Sequence, residues 1–385
     1  MRKRLCFITD YFISDQNAAI TGPMVQTYLI GRELKQRGWD VHYISYSKEG
    51  KDNCTEMYEG LTVHWIKHRQ YLPILQYRKI TNLLTTIDAE SHYQRGRDIL
   101  TGFVARYCRK HHKIFVWASA GENGVEKRKY VVQMRKKRRP FFKKFVLWCE
   151  ATINDMICEY GINNASQIIV QTDYQKIRLK EVFDLDSVVI KSGHPIPETV
   201  ERSLPLKILW IGSIKPVKRP ELFIELAEEC KDMDCEFSMA GQFVDTGLKS
   251  FILKKLQNIG NLKYLGAIPF SESQAVISKA HILVNTTDDG YEGLPNAFVQ
   301  AWLAGTATFS LHSDPDGVIE KYGLGVRKPS IVEMKGEIEK IVENMSYWQK
   351  ISSNASAFGR DNFSIQKISN YILEVMQSQD PSLEL

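Results

Sequence analysis

Short β-rich runs alternate with amphipathic segments along this chain, and the alternation is interrupted once and then resumes. In the first half, residues 5–9, 41–46, 61–66, 113–118, 167–172 and 187–191 read as strands, and a further strand ends at Tyr93-Gln94-Arg95-Gly96. Helical stretches lie between them, such as residues 24–36 closing at Gly38. Pro195, Pro197 and Pro205 then break the pattern. It restarts with strands at 206–211, 235–239, 262–265, 282–285 and 306–311. Leu222, Phe223, Leu226, Ala227 and Cys230 make one apolar face on the helix after the first of these. Strand–helix alternation closes into parallel, doubly wound α/β sheets. The 385 residues are enough for two cores. The expected architecture is therefore two such domains, residues 1–195 and 206–362, followed by a C-terminal segment, 363–385.

Two strand-to-helix junctions in the second half carry chemistry. After the strand at 206–211 comes Gly212-Ser213-Ile214-Lys215-Pro216-Val217-Lys218-Arg219-Pro220. Pro220 suits the first turn of a helix, and the cations before it could neutralise a diphosphate leaving group. A solvated basic turn is the plainer alternative. After the strand at 282–285, Tyr291-Glu292-Gly293-Leu294-Pro295-Asn296 runs into an apolar-periodic helix. Open α/β sheets bind ligands at such junctions, and the amides of a helix N-terminus favour anions, phosphate above all. Glu292 stands eight residues before Gln300, so hydroxyl-binding groups lie beside a phosphate cradle. A sugar joined to a nucleotide suits that combination.

Several classes are excluded or disfavoured. No Gly-x-Gly-x-x-Gly is present, which argues against a dinucleotide enzyme. No apolar run approaches the ~20 residues of a membrane-spanning helix. The start, Met1 to Asp10, is basic but has too short an apolar run for a signal peptide and suits a first buried strand. Seven scattered Cys without a CxxC pair fit a reducing cytosol, and nothing near Cys230 and Cys235 completes a zinc site. Asp314-Pro315-Asp316-Gly317 has the look of a metal-binding pair, but a helix N-cap explains it more simply.

The two junctions, with the layout of the first half, resemble glycosyltransferase family 4, a group of retaining enzymes of GT-B fold. The resemblance spans nearly the whole chain and implies two Rossmann-like domains facing a central cleft. It implies that Lys218 contacts the donor diphosphate and that Glu292 holds the donor sugar, these two being the catalytic candidates. Gly293, Leu294 and Pro295 would bring their backbone to sugar and phosphate, and Gly212 would turn the cationic loop. Two positions depart from the family pattern. Gln300 stands where the family has a ribose-binding Glu, and its amide oxygen can still accept a hydroxyl. Ser213 stands where an Arg is common, leaving Lys215 or Arg219 to substitute. In the first half Gly22 matches the family's glycine-containing loop, although an ordinary turn would also explain it. Arg95 could contact donor or acceptor, or form a structural ion pair. Ser119 and Glu122 could line the cleft, where the family often has a His. His194 reads as a hinge residue. The last helix, from Phe363, resembles one that crosses back to the first domain.

The implied co-substrate is a nucleotide sugar, UDP- or GDP-linked, with no metal required. The implied acceptor is a lipid-linked or other saccharide, as in bacterial surface polysaccharide assembly. A nucleotide-sugar epimerase and a degenerate donor-binding protein are the alternatives. Net charge is +6, but residues 1–200 hold 32 Lys and Arg against 21 Asp and Glu, while the remainder holds 19 against 24. Lys127-Arg128-Lys129 and Arg135 to Arg139 concentrate that charge before an aromatic-rich helix. An anionic membrane surface docking through 127–149 would explain this, placing the protein at the cytoplasmic face of the membrane. The other reading is a helix packed on its own sheet, with Phe141, Phe145, Trp148, Met156 and Tyr160 supplying core at helical spacing. No nucleic-acid module accompanies the charge, so nucleic acid is not an expected partner.

Overall fold

In the computed structural model the described residues are 3–18, 20–68, 73–135, 141–244, 246–256, 259–288 and 294–378. They pack as two units, Met1–Lys191 with Ile365–Leu385, and Ser192–Ser364. The first unit opens with β1 (Arg4–Tyr11), α1 (Gly22–Gln36), β2 (Asp40–Ser47), β3 (Cys54–Tyr58) and β4 (Leu61–Lys67). It continues through α2 (Tyr77–Ile87), β5 (Ser91–Arg95), α3 (Ile99–His111), β6 (Ile114–Ala118) and α4 (Lys129–Arg135). Then come α5 (Phe141–Asn163), β7 (Gln167–Val170), α6 (Asp173–Phe183) and β8 (Val188–Val189). The second unit holds β9 (Leu206–Ile211), α7 (Pro220–Glu229), β10 (Cys235–Ala240), α8 (Thr246–Leu256) and β11 (Leu262–Tyr264). After these follow α9 (Phe270–Lys279), β12 (Ile282–Asn285), α10 (Asn296–Ala304), β13 (Ala307–Ser310) and α11 (Val318–Lys321). β14 (Gly325–Arg327), α12 (Ile331–Glu343) and α13 (Met345–Phe363) complete it, and α14 (Ile365–Gln377) belongs to the first unit.

The first sheet has the order β3-β4-β2-β1-β5-β6-β7-β8 and the second β11-β10-β9-β12-β13-β14. Every neighbouring pair is parallel except β3 with β4. Strands β3 and β14 were not expected from the sequence. The β3–β4 hairpin turns at Glu59-Gly60, both at positive φ (48° and 80°). That two-residue turn ordinarily carries Asn or Asp before Gly, and Glu59 hides the signal. In the second unit the apolar face of α7 is buried as its period predicts, with Phe223 and Leu226 fully enclosed over the sheet.

Helix α5 departs from one of the two readings of its sequence. Packing on its own sheet would make Phe145, Trp148 and Met156 core, yet they are 60%, 42% and 67% exposed. The buried stripe is Ala151, Asp155, Cys158 and Ile162 instead. The cause lies in the close approach of α3. A Cβ on Gly161 would stand 2.5 Å from the Thr101 carbonyl, and one on Gly102 would overlap the Ile157 carbonyl. Two backbones this near leave room only for small side chains between them. The large apolar groups therefore point away. Buried Asp155 is not left unpaired: it takes Arg97 at 3.2 Å and the amides of Tyr130 and Val131 at 3.0 Å.

Candidate active site

In the second sheet the chain leaves β9 toward β10 and later returns on the other side to β12. Loops diverge at such a switch point, and the crevice at the strands' carboxyl ends is where doubly wound sheets bind ligands. Both chemically marked junctions meet there. The loop after β9 is held down by Ile214, whose N–H donates to Gln242 at 2.8 Å and whose carbonyl accepts from Val244 at 3.1 Å. Gly212 donates to Ala240 at 3.1 Å, and Gly241 lies so close that a Cβ there would overlap the Gly212 carbonyl. Residues Pro216–Lys218 then form one 3-10 turn, and Arg219 adopts φ 46° before Pro220 starts α7. Left-handed backbone costs a non-glycine residue about 1 kcal/mol, so contacts must hold Arg219 in place.

Those contacts come from the loop after β12. The Thr286 hydroxyl donates to the Lys218 carbonyl at 2.7 Å and accepts from the Trp210 indole at 3.0 Å. The Asp288 N–H donates to the Val217 carbonyl at 3.0 Å, and its carboxylate meets the Arg219 guanidinium at 3.2 Å. Arg219 also pairs with Glu221 at 2.5 Å, and these carboxylates hold its pKa above the ordinary guanidinium range. Ser213, Lys215, Lys218 and Arg219 are all half-buried at this edge. Neither Thr286 nor Asp288 was singled out from the sequence. Their role is tertiary, and only the shared strand order brings them to the cationic turn.

Glu292 and Gly293 lie outside the described residues. Leu294 is buried, and Pro295 precedes the first turn of α10. Because β12 is parallel to its neighbours, α10 begins at the carboxyl edge, with its dipole positive there. Gln300 is 5% exposed, and its side-chain nitrogen donates to the Ser273 hydroxyl on α9 at 2.9 Å. His194 is buried against Phe270, with Nε2 3.3 Å from the Asn296 side-chain oxygen at the start of α10.

In the first unit the switch point falls between β1 and β5. Gly22 starts α1 and is exposed. Arg95 ends β5 and is 7% exposed beside Tyr93; burial pushes its pKa down, and Tyr93 acts the other way. Ser119, fully buried after β6, donates to the Gly121 carbonyl at 3.1 Å and accepts on its own carbonyl from Gln171 at 3.0 Å. The Glu122 side chain lies outside the described set. A carboxyl pair was missed: Asp98 caps α3, accepting from Leu100 at 2.9 Å and Gln94 at 2.7 Å, and shares a hydrogen bond with Asp10 of β1. Burial, then the charge of Asp10, push the Asp98 carboxyl well above the usual carboxylate range.

Asp314 accepts from the Ile319 and Glu320 amides at 2.8 and 3.4 Å, so it caps α11. Among the described residues no three His, Cys, Asp or Glu side chains gather as metal ligands. None of the described helices is long and apolar enough to cross a membrane.

No protein-family model and no curated protein matches the sequence. Solved structures do. Sucrose-phosphate synthase from Thermosynechococcus elongatus superposes with a TM-score of 0.72 at 13% identity, over 99% of this chain and 100% of that one. Anabaena HepE in complex with UDP-glucose gives 0.70 at 12% identity over 97% and 99%. A glycosyltransferase from Rickettsia africae gives 0.70 at 14% identity over 98% of each chain. Two doubly wound, Rossmann-like units, matched over nearly their full extent by these structures, make the fold GT-B.

Proposed function

We propose that this chain is a retaining glycosyltransferase that moves a sugar from a nucleotide-sugar donor to a hydroxyl acceptor. The observation carrying this reading is the joining of the Lys218–Arg219 turn to the β12–α10 loop at the second unit's switch point. The complex of HepE with UDP-glucose supports a UDP-sugar as the donor, with a GDP-sugar next. In the proposed reaction the bond from the anomeric carbon to the diphosphate oxygen breaks. Lys218, Lys215 and the first amides of α10 take up the developing negative charge. The acceptor oxygen attacks from the face the leaving group departs, and its proton passes to the leaving phosphate. Glu292 holds the sugar hydroxyls; Gly212, Ser213, Gly293, Leu294 and Pro295 shape the donor site. No step calls for a metal.

The donor is assigned to residues 206–362 and the acceptor to residues 1–195, where Gly22, Arg95, Ser119 and Glu122 are candidate contacts. A lipid-linked saccharide at the cytoplasmic face of a membrane is the proposed acceptor. Calorimetry with UDP-, GDP-, ADP- and CMP-sugars tests the donor site. Binding of one of them that is lost in Lys218→Ala supports it, and absence of binding to folded protein overturns it. Loss of one donor to developing charge costs about 3 kcal/mol, so Lys218→Ala should lower turnover about a hundredfold or more. Residual turnover within about tenfold would remove Lys218 from this role. The engagement of Gln300 with Ser273 favours a second reading, a donor-binding protein without turnover. Donor binding with neither transfer nor hydrolysis would select it.

A further inference from the structure

An apolar cavity lies within the first unit. It holds about 740 Å³ between α2, α3 and α5, and its lining includes Leu75, Tyr77, Phe103, Met156, Ile157 and Tyr160. That size is typical of sites that bury a small ligand. Leu75 and Met156 are 63% and 67% exposed at its rim. Arg78 and Arg106, both exposed, are the charged side chains of the lining, and among the described residues no carboxylate lines it. The outward stripe of α5 leads into this groove: Phe145 stacks on Trp148 at 6.3 Å, and Met156 and Tyr160 follow on the same face. The chain enters α5 through eight cations between Lys127 and Arg139.

An apolar slot, an apolar helix face continuous with it and cations without lining acids match one chemistry, an amphiphile with an anionic head. We propose that the groove receives the apolar chain of an anionic membrane lipid, with α5 lying along the bilayer surface. A solvated helix would carry polar groups on its outer face, and a nucleic acid would leave the slot unfilled. The Gly102–Gly161 contact gives this surface its form, since it excludes the large side chains of α5 from the core. The inference deepens the membrane association proposed above. Donor calorimetry and vesicle binding are separate measurements, so either can fail alone.

Co-sedimentation of the full chain with phosphatidylglycerol–phosphatidylcholine vesicles, against phosphatidylcholine alone, tests it. Binding should be at least about tenfold tighter to the anionic vesicles. Leu75→Asp with Met156→Asp should weaken it about tenfold or more without lowering the melting temperature, because both side chains are exposed. A quenching measurement needs no charged substitution: lipid brominated in its chains should quench Trp148, read as the difference from Trp148→Phe. Undiminished binding of the double variant, or absence of Trp148 quenching, would reduce the surface to a purely electrostatic one and overturn the groove. Absence of sedimentation with anionic vesicles would overturn it outright. So would a dimer in light scattering that the double variant abolishes, which would make a second copy the occupant.

Discussion

Helices α7 and α5 carry apolar residues at the same helical spacing and bury opposite kinds of face. In α7, Phe223, Leu226 and Ala227 turn inward and are fully enclosed, and Leu222 packs half-buried against the same core. In α5, Phe145, Trp148 and Met156 turn outward, and small or polar groups at Ala151, Asp155 and Cys158 are enclosed. Apolar periodicity therefore marks a face without saying which face the fold buries. That choice depends on the neighbour. A sheet surface offers α7 room for a phenyl ring, whereas α3 meets α5 backbone to backbone at Gly102 and Gly161.

Substitutions should separate the two helices. Phe223→Ala removes a fully buried ring and should cost about 4 kcal/mol in denaturant unfolding of the second unit. A loss under about 1 kcal/mol would mean that α7 is not anchored there. Gly102→Ala should cost the first unit about 3 kcal/mol through overpacking against Ile157. A neutral result would break the explanation offered for α5.

Acid should weaken both units, because each buries a histidine, and the first more, since burial also pushes His64 down to about 4 and lowers His42. Burial pushes His92 and His281 down to about 4, and the His281 Nδ1 accepts from the Lys207 N–H at 3.0 Å, a bond that protonation breaks. Above about pH 6.5 neither native nor unfolded chain is protonated at these sites. Between about 6.5 and 4 the unfolded chain gains protons that the native one excludes. Stability should therefore fall with pH across that window, by at most about 1.4 kcal/mol per unit per histidine. Urea midpoints at pH 7, 6 and 5 measure it, and a flat profile would contradict it. The smallest effect belongs to Met156→Ala, which should change stability by no more than about 0.5 kcal/mol. A larger loss would show that α5's outer face packs on protein after all.

The doubly wound α/β pattern was legible because it rests on local periodicity. The cationic turn was legible too, since Gly212, Pro216 and Pro220 punctuate the chain where β9 hands over to α7. What escaped depends on partners distant in sequence. Nothing near Thr286 announces that its hydroxyl will close on Lys218, nor near Gln300 that its amide will meet Ser273. Strand β3 escaped because a Glu occupies a turn position where Asn is the usual sign. The orientation of α5 could have been suspected from Gly102 and Gly161, but one glycine becomes informative only when it is known to face the other.

The first unit contains both early and late parts of the chain. Helix α14 packs on α1, buries Ile365, Ile368, Ile372 and Met376, and is tied by the Arg37 guanidinium to the Gln366 carbonyl at 3.0 Å. Its residues are translated only after all of Ser192–Ser364. On the ribosome the first unit must therefore wait with an apolar face uncovered while the second is being made. At a synthesis rate of about 5–20 residues per second, that exposure lasts on the order of ten seconds or more. The half translated first is thus the half finished last, and it is the one that depends on protection from aggregation during synthesis.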